Sequence, residues 1–175
     1  MGWEPSVESQ LIYYSMSMPL IPHELERFAA ELAAAPERWQ HLVRHEADVR
    51  VYEQIFSDAE VNAWVICWSE DQDTGFHDHD DSAAAIAVVS GRVREDRLTL
   101  GGPPHSRELG SGETFIVPPT AIHRVVHAGD GPAVTIHAYS PPLRRTGAYR
   151  VGPNGELERE AQAFAVELKA EPIAA

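Results

Sequence analysis

Cysteine is almost absent from this chain: Cys67 is the only one in 175 residues. A single thiol excludes an internal disulfide framework and suits a reducing compartment, so a cytoplasmic location is expected. Long apolar runs are also missing. No stretch reaches the roughly 18 consecutive apolar residues of a membrane span. The first residues hold no basic segment followed by an apolar one, so no secretory signal is expected either. Positive charge is scarce, with 14 Lys and Arg against 27 Asp and Glu and a formal net charge of −13. That balance argues against nucleic acid and against an anionic membrane surface as partners, because both select basic clusters. Repeats and low-complexity tracts are lacking too. One soluble domain over 1–175 is expected, long enough to bury a substantial core.

The order of elements is written in the spacing of apolar residues. Over 22–45, Leu25, Phe28 and Leu32 recur every three or four residues, with Ala29 beside them, which predicts a helix with one apolar stripe. Pro36 is suited to open a second short helix carrying Trp39, Leu42 and Val43. From Val49 the pattern changes to short β-rich runs, predicted at 61–68, 84–89, 92–100, 114–117, 123–126 and 133–139. Gly101-Gly102-Pro103-Pro104 and Gly129-Asp130-Gly131-Pro132 punctuate them as turns. Many short strands at this spacing predict a sandwich or barrel. The tail 157–168 reads as a final strand. The fold class is therefore all-β with N-terminal helices: a helical region over 1–48, a barrel core over 49–143, and a segment over 144–175 that completes or flanks the barrel.

Candidate chemistry is concentrated in histidines. His77 and His79 are two apart, so on a strand both point to one face and can hold a single metal ion. Around them the chain resembles a cupin, a double-stranded β-helix or jelly-roll barrel. Gly91 stands where the first cupin motif has its closing Gly, and Asp71 replaces the opening one. The glutamate that motif carries is missing, since both positions for it, Ala83 and Ala84, are alanine. The second motif is met by Gly112, Pro118 and His123, with Thr120 in place of a Gly and His127 in place of an Asn. The resemblance thus implies a metal site of His77, His79 and His123 with no carboxylate. Three neutral imidazoles leave a divalent ion its full charge, which favours an incoming anionic thiolate.

A narrower resemblance rests on Trp64-Val65-Ile66-Cys67-Trp68, His77-Asp78-His79, Ile122-His123-Arg124-Val125 and His137-Ala138-Tyr139-Ser140-Pro141-Pro142. In this order they resemble the cysteine dioxygenase family of thiol dioxygenases, over roughly 49–143. The resemblance implies one mononuclear Fe(II), no organic cofactor, and oxidation of a small thiol to its sulfinic acid with both atoms of O₂. It also implies that Thr135, His137 and Tyr139 form a hydrogen-bonded relay, with Tyr139 orienting the bound thiol or oxygen. A monomer or weak homo-oligomer is expected. The ligand set alone also suits zinc, so a non-redox metal-binding cupin, or a non-catalytic binding cupin, stands beside the enzyme reading.

Two departures bear on the substrate. Ala84 stands where animal members carry a cysteine that crosslinks to the active-site tyrosine, so that crosslink is not expected here. The family's Tyr-x-Arg, whose Arg binds the cysteine carboxylate, is nearest to Tyr52-Glu53-Gln54. Gln54 resembles the Gln of relatives acting on 3-mercaptopropionate and cannot form the bidentate charged pair of an Arg. Arg50 is the alternative, at the cost of a register change. Cysteine is the default substrate for the resemblance, with 3-mercaptopropionate close behind. Glu70, Asp71, Asp73, Asp78, Asp80 and Asp81 read as a solvated acidic loop; lining a pocket, they would favour a cationic thiol or thione such as ergothioneine. His23, His41, His45 and His105 are expected at the surface, His127 in the barrel or a turn, and Trp64 and Trp68 in the core.

Overall fold

The computed structural model describes residues 18–154 and 156–163. An α-helix, α1 (Pro22–Ala33), is followed by eleven strands. They are β1 (Val51–Ser57), β2 (Asn62–Trp68), β3 (His77–Asp78), β4 (Ala83–Ser90), β5 (Arg92–Arg97), β6 (His105–Gly110), β7 (Thr114–Val117), β8 (His123–Ala128), β9 (Ala133–Ser140), β10 (Arg145–Val151) and β11 (Leu157–Ala163). Five form one sheet in the order β1-β2-β9-β4-β7, and six form the other in the order β11-β10-β3-β8-β5-β6. The paired strands are antiparallel.

Alternation along β2, β4 and β9 divides the apolar residues between two layers. Trp64, Ile66, Trp68, Ile86 and Val88 point into the barrel and meet Val93, Phe115 and Val125. The opposite face of the first sheet carries Ala63, Val65, Cys67, Ala85, Ala87 and Ala138, against which α1 lays Leu25, Ala29 and Leu32. Alanines on that face let the helix sit close to the sheet. The helix begins with Pro22 in its first turn, where a missing N–H costs nothing. The Ile21 N–H donates to Glu24 Oε2 at 3.2 Å. At the other end the Trp39 indole N–H donates to the Leu32 carbonyl at 2.9 Å.

Local boundaries differ from expectation in three places. The predicted second helix is two 3₁₀ turns, Pro36–Arg38 and Gln40–Leu42. Spacing of three is shared by 3₁₀ and α geometry, so Trp39 and Leu42 did not separate them. The strand predicted over 92–100 stops at Arg97, ahead of the Gly-Pro turn. The chain also contains β6 and β10, whose exposed residues interrupt the alternation. The tail does form a strand, β11, to Ala163; 164–168 of that expectation lie outside the described residues.

Gly91 has a structural reason to be glycine. It lies at φ +71°, and a Cβ there would come within 2.6 Å of the Pro132 carbonyl oxygen. The β4–β5 turn is thereby pressed against the start of β9, the strand that carries Thr135, His137 and Tyr139.

Candidate metal centre

His77 sits on the two-residue strand β3 and pairs directly with His123 on β8. His79 follows in the turn closed by the Ser82 N–H donating to the His79 carbonyl at 3.0 Å. The three rings are 4%, 1% and 0% exposed, in the order 77, 79, 123. His77 Nε2 lies 3.1 Å from His79 Nε2, which lies 3.3 Å from His123 Nε2. One nitrogen from each of the three lies within 4.8 Å of the others, a set that can hold a metal ion. With metal–nitrogen bonds of about 2.1 Å, nitrogens bound at right angles stand about 3 Å apart. The donor set therefore fits one ion bound on one side only.

The far ring nitrogens set which tautomer is present. His77 Nδ1–H donates to the Gly75 carbonyl at 3.0 Å. His123 Nδ1 lies 3.3 Å from Glu95 Oε1. Both partners leave Nε2 unprotonated and able to ligate. Burial, reinforced by neighbouring His123, His77 and His137, pushes the His79 pKa well below its usual range, so its ring is neutral.

Glu95 was not among the expected site residues. It is buried on β5, where it receives Arg97 Nη2 at 2.8 Å on one oxygen and Arg107 Nε at 2.7 Å on the other. Burial alone would raise its pKa, but hydrogen bonds from His123 and Arg97 outweigh it and hold the carboxyl at about 2. The signal was present: Val93 faces the barrel, so alternation turns Glu95 inward too, and a core-facing carboxylate needs a partner. In place of the cupin glutamate missing at Ala83 and Ala84, a carboxylate stands behind His123, on the side away from the three-nitrogen cluster. We expect Glu95→Gln to weaken divalent-metal affinity by about 10- to 100-fold, measured by chelator competition. Unchanged affinity would show that His123 needs no anionic partner. The stabilisation Glu95 gives the fold is fully present above its ordinary pKa of 4.5 and is lost as pH falls through about 2.

Beside the three histidines runs a chain of polar side chains along β9. The Trp68 indole N–H donates to Thr135 Oγ1 at 2.8 Å. Thr135 Oγ1 lies 3.0 Å from His137 Nε2, and His137 Nδ1 lies 3.3 Å from the Tyr139 hydroxyl. Because an indole only donates, Thr135 accepts from it and can donate its own proton to His137. His137 then donates from Nδ1 to Tyr139, which directs the tyrosine proton away from His137. Burial, with the Arg50 cation among the nearby groups, pushes His137 well below the usual histidine range. The Tyr139 ring stands edge-on to His79 at 5.0 Å and to Trp64 at 5.6 Å between centroids. Trp64 and Trp68 are buried as expected, but each also touches this chain.

Gln54 is exposed, and its Nε2 lies 3.4 Å from the Phe56 carbonyl. Tyr52 is half-buried against the barrel core. Arg50 is 3% exposed, with its guanidinium 5.1 Å from the Trp68 ring centroid and Nη1 donating to the Asp73 carbonyl at 3.0 Å. Ala84 pairs in register with Tyr139, so no thiol is available there for a crosslink.

The acidic residues do not form one solvated loop. Glu70, Asp71 and Asp81 are exposed. Asp73 pairs with Arg124 at 3.1 Å and Asp80 with Arg145 at 2.9 Å. Asp78 is buried and pairs with Arg159 at 2.7 Å, because the pleat that turns His77 and His79 inward turns Asp78 outward. His23, His41, His45 and His105 are exposed. His127 lies near the end of β8, where its Nε2 donates to the Gly131 carbonyl at 2.8 Å.

Among solved structures the chain is similar to TT1209 from Thermus thermophilus, with TM-score 0.52 and 17% identity over 59% of this chain and 93% of that one. It is also similar to an RmlC-like cupin protein from Desulfovibrio desulfuricans, with TM-score 0.50 and 18% identity over 58% and 91%. These likenesses establish the cupin, or double-stranded β-helix, fold. Curated relatives include cysteine dioxygenase type 1 of Danio rerio, 28% identical over 109 residues, which are 55% of this chain and 54% of the relative. The Rattus norvegicus protein of the same name is 26% identical over 91 residues, 47% and 46% of the two chains. Germin-like protein 3-8 of Oryza sativa subsp. japonica is 33% identical over 98 residues, 53% and 44%. The chain spans about half the length of these relatives or less. The profile of cysteine dioxygenase type I matches residues 23–151. That match runs from α1 to the end of β10 and takes in all three histidines and the β9 chain, so this protein belongs to the cysteine dioxygenase type I family.

Proposed function

We propose that the protein is a non-haem Fe(II) thiol dioxygenase that converts a small thiol carboxylate, cysteine first and 3-mercaptopropionate second, to its sulfinate. His77, His79 and His123 would hold the ion, and no organic cofactor is needed. When bound, ferrous iron supplies a site where thiolate and O₂ meet and where O₂ is activated. The stoichiometry closes without an external reductant, since R–S⁻ and O₂ together give R–SO₂⁻.

The observation that carries this reading is the Tyr139 hydroxyl, held by His137 and Thr135 beside the His79 ring. A hydrogen bond from a fixed phenol to developing negative charge is worth more in a buried site than in water. His137 stays neutral there, so it can donate to the phenol without adding a second cation. Trp68 anchors the far end of the chain, which gives the proton order a direction.

Arg50 is our candidate for the substrate carboxylate, in preference to Gln54 and Tyr52. Its guanidinium is buried beside Trp68, within electrostatic reach of His137, whereas Gln54 is exposed. A buried cation favours a carboxylate-bearing thiol and disfavours a purely cationic one. Asp73, Asp78 and Asp80 are paired to arginines, so half of the acidic cluster that motivated ergothioneine is already neutralised within the protein.

The test is O₂ consumption by Fe(II)-loaded protein with L-cysteine, 3-mercaptopropionate, cysteamine and ergothioneine, with products identified by mass spectrometry. Uptake with L-cysteine or 3-mercaptopropionate, matched by its sulfinate, is the expected result. Tyr139→Phe should lower kcat by about 10²-fold with iron content unchanged, the scale of losing one oriented donor. A fully active Tyr139→Phe would remove the relay role. No uptake with any thiol would overturn the dioxygenase reading.

A further inference from the structure

Asp78 lies between two of the histidines and faces away from them, and its surroundings are unusually complete for a carboxylate on a two-residue strand. Arg159, on β11, grips it with both arms: Nε donates to Oδ2 at 2.7 Å and Nη2 to Oδ1 at 2.8 Å. The Tyr149 hydroxyl, on β10, donates to Oδ2 at 2.6 Å. The Gly147 N–H donates to Oδ1 at 3.2 Å, and the Asp80 N–H to the same oxygen at 2.9 Å. Five donors thus converge on one carboxylate from three elements.

The path of Arg159 explains Gly147. To reach β3, the guanidinium crosses the face of β10, and a Cβ at Gly147 would overlap it. On one side β3 meets β8 through the single pair of His77 and His123. On its other side β3 pairs with β10 at Gly147–Asp78 and Ala148–His77. The backbone just ahead of His77 is also tied to β8, where the Thr74 N–H donates to the Val125 carbonyl at 3.0 Å, so the β10–β11 hairpin holds the other edge, at His77 and Asp78 themselves.

We propose that Arg159 is a positioning residue for the metal centre, and that the Asp78–Arg159 pair couples metal binding to the stability of the β10–β11 hairpin. The inference rests on the three-histidine metal reading above. A bidentate pair sets the orientation of Asp78 and, through one peptide on either side, the orientation of both ligands. Coupling of this kind is reciprocal: the hairpin tightens the metal site, and the metal tightens the hairpin.

The experiment uses Co(II), whose absorption spectrum reports ligand geometry, and the full chain. Wild-type protein and the variants Arg159→Met and Arg159→Lys are titrated with Co(II), with apo-protein unfolding recorded for each. Hydrogen exchange of β10 and β11 is measured on wild type with and without the ion. We expect Arg159→Met to bind Co(II) about tenfold or more weakly with an altered spectrum. Arg159→Lys, which keeps the charge but not the fork, should fall between. In wild type, Co(II) should slow exchange in β10 and β11. Equal affinity and an identical spectrum in Arg159→Met would overturn the proposal while leaving the metal reading intact. So would exchange in the hairpin that ignores Co(II), a readout that holds even where the variant does not fold. Failure of wild type itself to bind Co(II) would overturn the metal reading and the proposal with it.

Discussion

Replacing His79 with alanine is expected to remove both the bound metal and thiol-dependent O₂ uptake. His79 is the middle member of the cluster, with its Nε2 3.1 Å from that of His77 and 3.3 Å from that of His123. Without it two imidazoles remain, held on strands β3 and β8 too rigidly for another side chain to take the vacancy. The acidic residues nearby are exposed or turned away in arginine pairs, so none of them is placed to substitute. Metal content after gel filtration should fall from near one per chain to background, and O₂ uptake with it. Apo-protein unfolding separates this from misfolding, since a buried His→Ala cavity costs only about 1–3 kcal/mol. Retention of both iron and uptake would show that the metal lies elsewhere. Metal analysis of the unsubstituted protein matters equally: zinc in place of iron would direct attention to hydrolytic chemistry.

Arg50→Met is expected to raise KM for the carboxylate-bearing substrate by about 100-fold, with kcat changed less. A charge-assisted pair with a carboxylate contributes about 1.5–3 kcal/mol, and a factor of ten corresponds to about 1.4 kcal/mol. Methionine keeps most of the side chain's packing against Trp68, so the loss reports charge more than volume. Co(II) affinity, which does not depend on the substrate carboxylate, serves as the internal control and should not change. Gln54→Ala should change KM by less than about twofold, because an exposed side chain away from special features contributes within about 0.5 kcal/mol. The reverse pattern, with Gln54 sensitive and Arg50 indifferent, would restore the Tyr52-Glu53-Gln54 segment as the carboxylate site.

The choice between those two segments shows where the sequence reached its limit. Arg50, Tyr52 and Gln54 are two apart on or beside one strand, so alternation puts them on one face and does not choose between them. The pairing of Val51 with Cys67 sets Arg50 at the buried end of β1 beside Trp68, while Gln54 lies exposed next to the register shift between Gln54 and Phe56.

What the sequence determined by itself was everything that depends on local periodicity. His77 and His79 two apart, Thr135, His137 and Tyr139 on alternate positions, and the apolar stripe of α1 each follow from a fixed geometry of strand or helix. His123 was found by its motif, and the structure sets it directly across from His77. The tertiary structure alone decided which polar groups stand behind these residues. Glu95 meets His123 from β5, Trp68 meets Thr135 from β2, and Arg159 meets Asp78 from a strand 81 positions further along the chain. Periodicity says which face a side chain leaves from. It cannot say what waits opposite, because that depends on strand order and register, which are set by the packing of the whole barrel.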